Sequence, residues 1–196
     1  MTRRNASGYS LMELAFVAGL VSTLSAAAIP EMLTGIDEYR TAGAARYVST
    51  RLQRARMEAV MRSAAVAVQF SQVGDSYTFA VYVDGNHNGV LSRDIQRGVD
   101  RQLNAPERLT DQFTGVDFGA VPGLPAVDPG GTPPGADPIR LGSGSLASFS
   151  AMGTASSGSV YIRGRRNVQY VVRIYGETGK TRILKFDPRA NKWKPL

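Results

Sequence analysis

The sequence predicts an α+β protein in which a long N-terminal helix packs on an antiparallel β-sheet head domain, and the first half of that helix spans a membrane. Two patterns indicate this fold. An apolar run near the N-terminus passes into a segment whose apolar residues recur at helical spacing, and the later chain carries short runs rich in Val, Phe and Tyr between glycine or polar clusters. About 165 residues follow the apolar run, enough for one domain with a core.

The apolar run covers twenty consecutive positions, Ser10 to Ile29, and Glu13 is their only formal charge. A helix of this length reaches about 30 Å, the thickness of a bilayer core. Arg3 and Arg4 precede the run, and no basic residue follows it before Arg40. The positive-inside rule therefore predicts a single-pass membrane protein with its N-terminus in the cytoplasm and the bulk of the chain in the periplasm or outside the cell.

A cleaved secretory signal peptide is the main alternative, because Ala26–Ala28 could form its cleavage site. Glu13 argues against it, since an acidic residue weakens the apolar region of a signal peptide. A twin-arginine signal is also disfavoured, because no bulky apolar pair follows the two arginines.

The stretch GYSLMEL at residues 8–14, followed by an apolar helix that ends in Ala28-Ile29-Pro30, resembles the N-terminal signature of type IV pilins and type II secretion pseudopilins. The resemblance implies a type IV pilin-like fold. It also implies that a prepilin peptidase cuts between Gly8 and Tyr9, removes the leader peptide 1–8 and methylates the amine of Tyr9. This chain departs from the family in having Tyr where Phe is usual, and in a helix rich in Ala, Gly and Ser.

The same resemblance assigns Glu13 to assembly. In this family the glutamate pairs with the free N-terminal amine of a neighbouring subunit in the filament. A carboxylate in apolar surroundings is costly until it meets a cation, so such a pairing penalises misregistered subunits. The alternative is a glutamate near a helix end that stays hydrated at the membrane interface.

The helix is expected to continue through residues 31–64, as the amphipathic second half that follows the transmembrane and polymerisation segment 9–30. Its predicted apolar stripe consists of Leu33, Ile36, Ala44, Tyr47, Val48, Leu52, Ala55 and Ala59. Pro30 predicts a kink or a locally unwound turn.

Residues 65–196 are predicted to form the head. The expected strands are Ala65 to Phe70, Tyr77 to Val83, Ser159 to Arg163, Val168 to Tyr175 and Arg182 to Asp187. A Pro/Gly-rich loop at 119–145 holds six prolines and four glycines in residues 122–138, a composition that predicts a surface loop with no core.

Three later stretches, VDGNHNGVLSRD, FSAMGTASSGSVYI and YVVRIYGETGKTRILKFD, are similar to the GspH/FimT group of minor pilins and pseudopilins. The resemblance implies a structural subunit of a type IV pilus or of a type II secretion pseudopilus, with other pilins or pseudopilins, the prepilin peptidase and the inner membrane as partners. The alternative is a FimT-like subunit that binds double-stranded DNA during natural transformation.

No residue pattern indicates an enzyme or a cofactor. The chain has no cysteine and a single histidine, which excludes thiol catalysis and a multi-histidine metal site. GETGKT at 176–181 lacks the first glycine of a phosphate-binding loop and lies between two predicted strands.

One loop resembles the start of a calcium site. Asp84, Asn86 and Asn88 stand at alternating positions and are weak candidate metal ligands, but Ile95 occupies the twelfth position, where a bidentate Glu should stand. The alternative is a polar loop that uses Asn-Gly turn chemistry.

The positive charge of the chain lies in its last fifth. Residues 160–196 hold ten basic and two acidic residues, whereas the rest of the chain holds 13 basic and 14 acidic ones. Together with the aromatic residues among them, such a cluster can attract a polyanion. The candidate DNA-binding residues are Lys180 and Arg182, in a GKTR turn resembling the GRxR-like motif of FimT-type minor pilins, together with Arg165, Arg166 and Lys185. The alternative is a solvated basic surface, or one that pairs with acidic faces of neighbouring minor pilins.

Overall fold

The fold is given by a computed structural model that describes residues 9–142 and 144–196. It confirms the predicted α+β architecture: helix α1 (Leu11–Arg62) followed by antiparallel sheets. The predicted leader, with Gly8, Arg3 and Arg4, lies outside the described residues. The chain divides into two compact units, one reaching to Ile36 and one from Asp37 to Leu196.

In the first unit, every described side chain is exposed. Leu33 and Ile36, the first two residues of the predicted apolar stripe, are 46% and 41% exposed. Pro30 lies within α1, and the residues on either side of it remain helical, so no unwound turn is present there.

The second unit contains eleven strands and two further short helices among its described residues. They are β1 (Val66–Val73), β2 (Ser76–Val83), α2 (Ser92–Gln96), β3 (Arg101–Gln102), β4 (Glu107–Arg108), α3 (Leu109–Gln112), β5 (Asp117–Phe118), β6 (Ile139–Arg140), β7 (Leu146–Phe149), β8 (Gly158–Arg163), β9 (Gln169–Ile174), β10 (Thr181–Asp187) and β11 (Lys192–Pro195). The five predicted strands correspond to β1, β2, β8, β9 and β10. The remaining, shorter strands were not predicted from the sequence.

Within the described residues the strands form two antiparallel sheets. The first has the order β3-β2-β1-β7, and β4 also pairs with β2; the second has the order β11-β10-β9-β8-β5, and β6 also pairs with β8. The Gly74-Asp75 turn joins β1 and β2, whose register runs from Val66 opposite Val83 to Val73 opposite Ser76. This confirms the predicted hairpin.

The second half of α1 packs into a core that both sheets share. Its small and aliphatic face, Ala44, Val48, Leu52, Ala55 and Ala59, is at most 1% exposed, as predicted. The same cluster contains Val66, Val68 and Phe70 of β1, Val160 and Ile162 of β8, and Tyr170, Val172 and Ile174 of β9. Alanine at three of these helical positions lets the helix backbone approach the strands closely.

The Pro/Gly-rich segment covers the other face of the second sheet, so the expectation that it contributes no core is wrong. Leu124 is 4% exposed and clusters with Tyr161, Val171 and Leu184. The indole Nε1 of Trp193 donates a hydrogen bond to the carbonyl of Pro125 at 3.1 Å. Proline prevents this segment from joining a sheet ladder, but it does not prevent apolar side chains from packing onto a sheet.

Candidate functional site

The apolar half of α1 has the length and composition of a segment that could cross a membrane. It is the one helix in the described part of the chain that is long and apolar enough to cross a membrane. The hydroxyls of Ser22 and Thr23 donate to the carbonyls of Ala18 and Gly19, both at 2.7 Å. Such bonds satisfy hydroxyl donors within the helix itself, as a hydrocarbon environment requires.

Glu13 lies in the first turn of α1, where the helix dipole favours a carboxylate. Its backbone N–H donates to the hydroxyl of Ser10 at 3.2 Å, which caps the start of the helix. The Glu13 side chain is exposed and forms no ion pair with any other described residue. Tyr9, exposed as well, directly precedes the capping Ser10.

Asp37 fastens the second half of the helix to the head. Its carboxylate is 6% exposed and accepts the backbone N–H groups of Arg165 at 3.1 Å and Arg166 at 2.8 Å, both in the turn after β8. A Cβ at Gly164 in this turn would lie 2.8 Å from an Asp37 oxygen. Only glycine therefore lets the turn approach the helix this closely. Asp37 was not predicted from the sequence, in which its one signal is an acidic residue next to Ile36 of the predicted stripe.

The second sheet has two ends, each marked by the turns that join its strands. The entry end contains Asp37, the β8–β9 turn (residues 164–168) and the β10–β11 turn (188–191); the far end contains the β9–β10 turn (175–180). The six residues of β9 separate the two ends by about 20 Å.

The five candidate DNA-binding residues are divided between these ends. Arg165, Arg166 and Lys185 lie at the entry end, where the Lys185 ammonium pairs with Glu38 at 2.5 Å. Lys180 and Arg182 lie at the far end, and Arg182 points to the opposite face of the sheet from Lys185, because side chains alternate along β10. The five residues thus do not form one patch, and DNA binding by them stays a prediction.

The glycine of the GKTR turn serves the fold. Gly179 has a φ of +62°, a conformation that glycine adopts without strain, and a Cβ there would lie 2.7 Å from Nε of Arg56. Gln53 of α1 donates to the Gly179 carbonyl at 3.1 Å, and Arg56 donates to the Gly153 carbonyl at 2.8 Å. Helix α1 therefore holds this turn in place through Gln53.

The candidate calcium ligands are engaged in hydrogen bonds within their own loop. The two carboxylate oxygens of Asp84 accept the backbone N–H groups of Asn86, His87 and Gly89 at 2.7–3.0 Å. Asn86 accepts the N–H of Asn88, whose amide donates to Asp94 at 3.1 Å.

Asp100 supports the same loop by accepting the N–H groups of Gly85 and Leu91. Among the residues that the structure describes, no group of three or more His, Cys, Asp or Glu side chains is arranged to hold a metal. The contacts of this loop are those of polar turn chemistry.

Two residues of the strands near the entry end, Tyr170 of β9 and Asp187 of β10, have shifted pKa values. Burial raises the pKa of Tyr170, on the helix-facing side of β9, to about 12, and the nearby Glu38 carboxylate raises it as well. The ammonium of Lys194 donates a hydrogen bond to Asp187 at 2.6 Å and lowers the pKa of that partly buried carboxyl, helped by the backbone N–H of Arg189.

Comparison with known proteins gives a family match over most of the head. The model of the family described as type II transport protein GspH matches residues 44–178. Among solved structures, the minor pseudopilin EpsH from the type 2 secretion system of Vibrio cholerae is similar at a TM-score of 0.46 and 14% identity, over 74% of this chain and 97% of that one. No curated protein matches the chain.

Proposed function

Because the chain belongs to the GspH family of type II transport proteins, we propose that it is a minor pseudopilin of a type II secretion system. In this role it is a structural subunit, anchored in the inner membrane with its head in the periplasm, and it assembles with other pseudopilins through α1. The family match confirms the GspH resemblance of the later sequence motifs. It begins at residue 44, so the role of the preceding segment depends on other observations.

The observation that carries this proposal is the contrast between the two halves of α1. The second half is built into the core of the head, whereas the first half leaves Leu11, Met12, Phe16 and Leu24 more than 60% exposed. An apolar surface of this extent marks an interaction site in a soluble setting or a segment that resides in lipid. A subunit that moves from a membrane into a filament of packed helices uses the same surface in both places.

Glu13 is the residue that we assign to assembly. It is an exposed carboxylate with no cation partner among the described residues, in an otherwise apolar segment. Processing between Gly8 and Tyr9 would create a free amine four residues before Glu13, and in a neighbouring subunit that amine supplies the missing cation. Pairing the two charges offsets the cost of holding each in apolar surroundings.

Incorporation into filaments tests this proposal. The full chain is expressed with a prepilin peptidase and the remaining pseudopilins, and sheared filaments are probed with antibody. We expect Glu13→Gln to reduce incorporation at least tenfold, in line with a cost of roughly 2.5–3.5 kcal/mol for an unpaired charge within a membrane helix. Glu31→Gln makes the same chemical change in another exposed acid of α1 and should leave incorporation unchanged.

The two parts of the proposal fail differently. If wild-type protein never enters filaments, the chain is not a pseudopilin subunit. If it enters and Glu13→Gln enters equally well, Glu13 has no assembly role. Mass spectrometry of the same material tests processing, since the leader 1–8 should be missing and one methyl group added, and a Gly8→Val chain should keep its leader.

A further inference from the structure

Eight basic residues of the second unit lie at the entry end of the second sheet. Two of them belong to ion pairs, Lys185 with Glu38 and Lys194 with Asp187. Six further basic residues lie at this end: Arg40 on α1, Arg163 at the end of β8, Arg165 and Arg166 in the β8–β9 turn, Arg189 in the β10–β11 turn and Lys192 at the start of β11.

Acidic residues balance this charge only in part. Asp75 and Asp117 line a cavity of about 380 Å³ with Arg163 and Arg165, and Asp37 is occupied by backbone N–H groups. The six basic residues against these three acids leave a balance of +3. Arg163, Arg165, Arg189 and Lys192 are exposed, and none of them pairs with a described acid.

The chain connects this end of the head to the apolar segment. The second unit begins at Asp37, eight residues after Ile29, the last residue of the apolar run. Eight residues reach less than about 30 Å even when fully extended. The covalent chain therefore keeps Asp37 at the entry end within about 30 Å of the last residue of the apolar run.

The residues at this point have the character of a membrane interface. Tyr39 is 78% exposed and is followed by exposed Arg40. A tyrosine ring suits the headgroup region, because it offers both an apolar body and a hydroxyl, and basic side chains beside it contact phosphates.

From this placement we propose that the entry end is a docking surface for anionic phospholipid headgroups, on which the head rests while the subunit is still in the membrane. The inference depends on the membrane anchoring contained in the proposed function. A basic residue near an anionic membrane contributes about 1 kcal/mol, and the attraction fades within a Debye length. Four exposed basic side chains without described partners therefore suffice to hold a tethered head on the surface.

The far end offers the matched comparison. Lys180 and Arg182 are exposed and basic as well, but they lie about 20 Å away along β9. This distance is more than two Debye lengths at physiological salt, so the field of a membrane that contacts the entry end is largely screened at Lys180 and Arg182.

The experiment uses the full chain in nanodiscs of phosphatidylcholine alone or mixed with phosphatidylglycerol. Trp193 is the single tryptophan, and it lies in β11 next to the β10–β11 turn. Energy transfer from Trp193 to dansyl-labelled headgroups then reports the ratio of docked to undocked heads. We expect strong transfer only with phosphatidylglycerol, and its loss at about 1 M salt, where the Debye length is 3 Å.

One double substitution removes two positive charges from the entry end, and a second removes two positive charges from the far end. Arg165→Gln with Arg189→Gln should lower the docked-to-undocked ratio at least tenfold, because two contributions of about 1 kcal/mol are lost. Lys180→Gln with Arg182→Gln should leave it unchanged. Arg165→Lys with Arg189→Lys keeps the charge and should keep the transfer, which separates charge loss from misfolding.

Three results would overturn the inference: equal transfer in both lipid compositions, an equal loss in the two Gln pairs, or binding of a labelled DNA duplex that the entry-end Gln pair abolishes. The last result would assign the surface to nucleic acid. Co-elution of the chain with the nanodiscs is measured first. A chain that does not co-elute refutes the anchoring in the proposed function and this inference with it, whereas co-elution without dependence on lipid charge refutes this inference alone.

Discussion

Asp37 offers the sharpest test of how the helix is joined to the head. Its buried carboxylate accepts two backbone N–H groups from a turn that lies 128 and 129 residues later in the chain. A hydrogen bond to a charged group contributes about 1.5–3 kcal/mol. Asp37→Ala removes two such hydrogen bonds, but water can satisfy part of the exposed turn. We therefore expect the free energy of unfolding to fall by about 3 kcal/mol.

Asp37→Asn refines the same test. The amide has nearly the same shape but only one acceptor oxygen, and its NH₂ group would face a backbone N–H donor. We expect Asp37→Asn to lower the free energy of unfolding by at least about half as much as Asp37→Ala, although it leaves no cavity. The exposed Asp111 lies in a short helix with no described hydrogen bond from its side chain, so Asp111→Asn should have no measurable effect.

Urea unfolding of a fragment that starts at residue 31, followed by Trp193 fluorescence, measures these changes. No described residue before Asp37 is buried, so removal of the apolar segment opens no core. A loss of about 3 kcal/mol is a large part of the 5–15 kcal/mol that is typical of a domain. If Asp37→Ala unfolds at the same urea concentration as the wild type, the carboxylate does not hold the turn.

Three further predictions concern the packing of the head. Gly164→Ala should destabilise the head by about 1–3 kcal/mol, because the new Cβ would lie 2.8 Å from an Asp37 oxygen. Gly144→Ala should be neutral, because a Cβ there would have no atom within 4 Å. Similar urea midpoints for the two variants would contradict the close packing at Gly164. Leu124→Ala should cost about 2–3 kcal/mol in the same assay, and a change near zero would show that the Pro/Gly-rich segment does not cover the sheet. Burial raises the pKa of Tyr170 to about 12, so the folded state keeps a proton that the unfolded state loses above pH 10. The free energy of unfolding should therefore fall from pH 10 to 12 more steeply in the wild type than in Tyr170→Phe. Equal slopes in the two proteins would contradict the raised pKa.

Local patterns in the sequence predicted much of this fold. The apolar run, the helical stripe from Ala44 to Ala59 and the five longer strands all depend on residues within a few positions of one another. The short strands β3 to β6 have two residues each, too few to show an alternating pattern. Leu33 and Ile36 fit the stripe by spacing, but spacing does not tell where along a helix the head begins.

The sequence by itself determined the family resemblance, the apolar segment with its single charge at Glu13, and the excess of basic residues in the last fifth of the chain. Only the tertiary structure decided how that charge is distributed. Arg165 and Lys180 are close in sequence, yet β9 carries them to opposite ends of a sheet. The partner of Asp37 and the sheet beneath Leu124 were also decided there, because these contacts join segments far apart in the chain, and nothing local records which distant surface a buried side chain will meet.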